Sequence, residues 1–112
     1  MQPDLAAVTE KVLRLRRATM SGAASETLLA QIEDVLSEGY AEALAGDAWS
    51  LRMEERMQEL IDDAVAEERV ELRAIASEHL RFQRALIALR GELAGLRRDR
   101  DRLCAGSPAT SR

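Results

Sequence analysis

One feature constrains this chain more than any other: a run of apolar residues that keeps its phase for over four heptads. Leu72, Ile75, His79, Phe82, Leu86, Leu89, Leu93, Leu96, Arg100 and Leu103 follow at alternating spacings of three and four, and eight of the ten are apolar. Side chains recurring at that interval line one stripe of an α-helix, and the stripe needs a partner to cover it. The pattern predicts a helix over about 69–104. A second run, Leu29, Ile32, Leu36, Gly39, Ala43, Gly46, Ser50, Met53, Met57 and Leu60, carries the same alternation. Only "IDDAVAEERVE" separates the two, and no proline falls between Pro3 and Pro108. The expected fold is therefore all-α: a long antiparallel helical hairpin over residues 24–104, packed as a coiled coil.

Side-chain size predicts the register. A reversal about residue 66 sets Gly39 by Leu93, Ala43 by Leu89, Gly46 by Leu86 and Ser50 by Phe82, with His79 opposite Met53. Four small residues then face four large ones, which keeps the volume between the arms constant. Charge agrees with this pairing. Residues 21–68 hold thirteen acids and two arginines, whereas residues 69–112 hold ten arginines and five acids. Edge pairs such as Glu33 with Arg97 and Arg56 with Glu78 are expected, and Glu42 falls near Glu92 with no relief in sight. "AGDAW" allows two readings. Gly46 ends one helix and Asp47 caps the next, or the helix runs through.

Ahead of the hairpin, Asp4 is a good cap, and Leu5, Val8, Val12 and Leu15 define a basic amphipathic helix over residues 1–20. "SGAAS" ends it and Ser25 opens the next helix. Residues 105–112 are small and polar and are expected to be disordered. A second pair of apolar strips lies off the seam: Tyr40, Leu44, Ala48 and Leu51 on the middle segment, and Ala76, Leu80, Ile87 and Ala94 on the third. Two helices alone cannot bury these strips. The N-terminal helix, a second copy or another protein must cover them. At 112 residues the chain gains most from pairing, and a homodimer forming a helical bundle is expected.

Composition removes other classes. Aromatic residues are 3% of the chain, against 32% charged, so a sandwich or barrel has no strands to draw on. One histidine and one cysteine cannot supply the usual zinc ligands. There is no phosphate-binding glycine loop and no nucleophile turn. No catalytic residue, metal or cofactor is expected, and the chain does not read as an enzyme. Cys104, the lone cysteine, reads as an incidental thiol. The acids Glu54, Glu55, Glu59, Asp62, Asp63, Glu67 and Glu68 read as a solvated face and turn. No apolar run spans a bilayer and the N-terminus does not read as a signal peptide, so a cytoplasmic location is expected.

What remains is association. Tyr40, Leu44, Trp49, Leu51, Leu80 and Ile87 are the candidate anchors for a protein partner. His79, polar within an apolar seam, is a candidate pH or register switch. Lys11, Arg14, Arg16, Arg17, Arg97 and Arg98 are candidate anion contacts, and with Arg100 and Arg102 they carry the alternative of a nucleic-acid-associated protein. The net charge of −4 weighs against that alternative. A dimeric sensor of an anionic small ligand is a third reading. The layout resembles that of many small bacterial coiled-coil proteins, some anti-sigma factors and adaptors among them, in which a helical hairpin holds a partner. That resemblance implies a small regulator, for example one that binds a sigma factor.

Overall fold

The computed structural model describes residues 2–22, 25–62 and 68–105, and all its regular structure is helical. Helix α1 spans Leu5–Ser21, α2 Glu26–Asp62 and α3 Glu68–Ala105. Asp4 caps α1 as expected, its Oδ1 accepting from the Ala7 amide at 3.1 Å. Ser25 opens α2. Its carbonyl accepts the first helical bond, from the Leu29 amide at 2.9 Å, and its Oγ accepts from the Leu28 amide at 3.0 Å, which the helix itself cannot satisfy. The turn centred on residue 66 and the tail from 106 onward lie outside the described residues.

α2 does not break at Gly46. It runs straight through "AGDAW", and both interior glycines sit where side chains of α3 come close. A methyl at Gly39 would collide with the Leu93 side chain, and one at Gly46 would stand 3.0 Å from Leu86 Cδ1 and 3.4 Å from Phe82 Cζ. These contacts show α2 and α3 antiparallel in the register that side-chain size predicts. The helix gives up propensity, about 1 kcal/mol per glycine, for close approach of its neighbour.

α1 folds back onto its own chain instead of leaving it. It lies antiparallel to α2, Lys11 Nζ meeting Glu38 Oε1 at 2.8 Å, and parallel to α3, its start beside Phe82 and Ala85 and its end beside Asp99. Leu5, Val8 and Val12 thereby join Ile32, Leu36, Phe82, Leu89, Leu93 and Leu96 in one core. α1 covers less than half of the hairpin's length. Beyond Ser50 and His79 the molecule is two helices thick, and Met53, Met57, Leu60, Leu72 and Ile75 are only half-buried. The whole measures 68 × 21 × 18 Å.

The edge pairs differ in detail from the expectation. Glu33 Oε1 accepts from Arg100 Nη1 at 2.7 Å, not from Arg97, and Arg56 reaches Glu71 at 3.5 Å, not Glu78. Long side chains at a solvated rim choose among several partners on neighbouring turns, so backbone register does not fix them.

Candidate functional site

Two arrangements of side chains go beyond the packing of the seam. The first is a polar cluster that fastens α1 to α3. Arg16 Nε donates to Asp99 Oδ2 at 2.9 Å and Nη1 donates to Glu92 Oε1 at 3.0 Å, while Thr19 Oγ1, which donates to the Arg16 carbonyl at 2.7 Å, lies 3.4 Å from Asp99 Oδ2. Arg102 closes on Asp99 from the next turn. Asp99 is only 5% exposed, so these donors replace the water its carboxylate has lost. The hydrogen bond to Asp99 raises the Arg16 pKa above its ordinary value, against the opposing effect of burial, and the charges of Asp99 and Glu92 add to the rise. Gly95 makes the approach possible, since a Cβ there would run into the Arg16 guanidinium. Arg16 also answers the repulsion expected between Glu42 and Glu92 by neutralising the latter.

The second arrangement is the flank of the hairpin turned away from α1. At about 100° per residue, Tyr40, Leu44 and Leu51 share one side of α2, and Leu80 and Ile87 share the corresponding side of α3. All five are exposed: Tyr40 39%, Leu44 68%, Leu51 56%, Leu80 49% and Ile87 71%. Asp47 and Arg90 pair between these strips, bridging the two helices. Large apolar side chains spaced by four and seven on adjacent helices form a stripe of the kind that packs into another helix or bundle.

Trp49 does not join them. It is half-buried against the core, its ring 4.4 Å from that of Phe82 with an interplanar angle of 47°, and it holds the end of the bundle where α1 begins. Its helical position, two and a half turns from Tyr40 and so on the opposite side of α2, carries the signal that separates it from the exposed strip.

His79 is buried in the seam, and Ser50 is its hydrogen-bond partner: Ser50 Oγ lies 2.8 Å from His79 Nε2. Glu54 Oε1 stands 3.8 Å away at the rim. Two polar groups opposite each other in an apolar layer satisfy one another. Such a pair fixes the register of the arms, since a slip by one heptad would strand both.

The candidate anion contacts do not converge. Lys11 is held by Glu38 and Arg16 by Asp99 and Glu92. Arg14 borders a groove between α1 and α2 beside Asp34 and Glu38, whereas Arg17 borders one between α1 and α3 beside Glu10 and Asp99. Arg97 and Arg98 stand on α3, off the side where Asp99 meets α1. Arg100 and Arg102, too, are engaged by acids, Glu33 with Asp101 and Asp99 respectively. Among the described residues no group of three or more His, Cys, Asp or Glu is placed to hold a metal ion, and no helix is long and apolar enough to cross a membrane. Asp99, Gly95 and the Ser50 partner of His79 were not singled out from the sequence. A signal for Asp99 exists, because Glu92, Leu96, Asp99 and Leu103 repeat at four, three and four, which places two acids among leucines on one stripe of α3.

No protein-family model, curated protein or solved structure matches this chain, so any functional reading rests on its own residues.

Proposed function

We propose that this chain works by protein association, as a small adaptor or regulator whose exposed helical flank takes up helices of a partner in a coiled-coil or bundle contact, homodimerisation included. One observation carries the reading. Tyr40, Leu44, Leu51, Leu80 and Ile87, five of the nine exposed large apolar residues among those described, gather in one stripe on the side that α1 leaves bare. An apolar stripe of that length on a small protein marks a contact surface. Acids and arginines around the stripe supply orientation and specificity more than affinity. The same geometry lowers the weight of the nucleic-acid and anionic-ligand readings, since Lys11, Arg16, Arg100 and Arg102 are already engaged by carboxylates. The reading is of a binding protein acting in the cytoplasm, not of a catalyst.

The test is the double substitution Leu44→Glu with Ile87→Glu. Both side chains are exposed, so the variant should unfold within about 0.5 kcal/mol of the parent, as surface changes do. It should also lose the proteins that co-purify with the parent chain from its native cells. Equal recovery with parent and variant would overturn the reading.

A further inference from the structure

Resting on the reading of this flank as a docking face, we infer that its occupant is a second copy of the chain, related by a two-fold axis parallel to the helices, with Tyr40 of each copy seated over Gly91 of the other. The argument starts from charge. On the α2 flank the exposed charged residues beside the apolar strip are mostly acidic, Glu33, Asp47, Glu54 and Glu55 against Arg52. On the α3 flank Arg73, Arg84 and Arg98 are exposed and basic, with a single acid, Asp101, two heptads beyond Ile87. A face divided in this way complements itself. It does so only when α2 of one copy lies on α3 of the other, because the alternative two-fold would stack acids on acids and arginines on arginines.

The levels of the two arms then decide which side chains meet. Gly39 under Leu93 and Gly46 under Leu86 fix those levels, each step up α2 matching a step down α3. To within one residue, Leu44 is level with Ile87, Leu51 with Leu80, Asp47 with Arg84, Glu33 with Arg98 and Tyr40 with Gly91. A two-fold axis along the bundle leaves every level unchanged, so these are also the pairs brought together between copies. Apolar strip meets apolar strip, and Asp47 and Glu33, already paired with Arg90 and Arg100 in their own chain, each gain a second arginine.

Gly91 is the independent observation. It is exposed in the middle of a 38-residue helix, and a Cβ built on it would meet nothing within 4 Å. Nothing in a single chain requires glycine there, yet glycine costs a helix about 1 kcal/mol relative to alanine. Ile87, Arg90, Gly91 and Ala94 are spaced as the four residues that form a hole for one knob from a facing helix. With glycine and alanine on two of its sides the hole admits a large ring, and Tyr40 is the residue that arrives at its level. The Arg90 guanidinium, at the rim of that hole, is placed to lie against the ring.

Cysteine pairing tests the arrangement in the full-length chain with Cys104→Ser. Leu44→Cys and Ile87→Cys chains, mixed and oxidised at high micromolar concentration, should give a covalent heterodimer, while neither chain alone should link to itself. Self-linkage of the Leu44→Cys chain would overturn the inference, because α2 would then lie on α2. A parent chain that sediments as a 12.4 kDa monomer at that concentration would overturn it as well. Either result leaves the docking reading to be judged by the capture experiment above. Gly91→Leu should fill the hole, keeping or raising helix content while weakening the dimer at least tenfold, and Gly91→Ala should preserve it. A Gly91→Leu chain that associates as tightly as the parent would overturn the seating of Tyr40.

Discussion

At the scale of single residues, the seam shows small side chains acting through what they make room for. Gly39 receives Leu93 and Gly95 receives Arg16, so the two glycines have different neighbours and different expected costs. Gly39→Ala has to displace a fully buried leucine and should lower stability by about 1–3 kcal/mol despite the gain in helix propensity. Asp99→Ala removes the acceptor of Arg16 and should cost about 1–2 kcal/mol, a figure held down because the Arg16 side chain keeps some contact with water. Chemical denaturation measures both. The buried Ser50 and His79 pair gives a more pointed expectation. His79→Leu alone should lower stability by about 1 kcal/mol by depriving Ser50 of its partner, whereas His79→Leu with Ser50→Ala should restore or exceed the parent value. A double variant no more stable than the single one would show that His79 is not acting through Ser50. These details were legible only in part. That Gly39 and Gly46 face Leu93 and Leu86 follows from size and spacing, but the partner of His79 depends on which rotamers an actual pair of helices allows.

At the scale of elements, three helices cap and pack by local rules, yet they are unequally supported. The half of the hairpin covered by α1 has a three-sided core in which Ile32, Leu89, Leu93 and Leu96 are fully buried. The other half rests on half-buried Met53, Met57, Leu60, Leu72 and Ile75. Hydrogen exchange should therefore be slowest at amides around 86–97 and markedly faster at 53–62 and 70–78, since local opening follows the density of apolar contact. Leu89→Ala should cost about 3 kcal/mol and Leu72→Ala clearly less, because a half-buried site has less contact to lose and collapses more easily. Asp4 caps α1 at the place the sequence offers it, and the helix begins at Leu5, not at residue 1. Its docking on both arms was one of several possibilities, because Leu5, Val8 and Val12 say that a surface is needed without saying whose.

At the scale of the molecule, an elongated three-helix body exposes one face, and the proposed pairing uses it without changing the length of the assembly. Two copies side by side with their levels aligned should give a scattering particle whose long dimension stays near the 68 Å of one chain, while its cross-section roughly doubles. An end-to-end particle would contradict the proposal. The sequence by itself determined the all-helical class, the hairpin register and the existence of a second apolar strip, since each follows from periodicity and side-chain volume along a single chain. Tertiary structure decided which strip α1 covers, that Arg16 and Lys11 are engaged by acids, that Trp49 turns inward and that the Tyr40 flank stays bare. Those outcomes depend on which of several compatible surfaces come together in space. Periodicity states that a face must be covered, and only the packed chain selects what covers it.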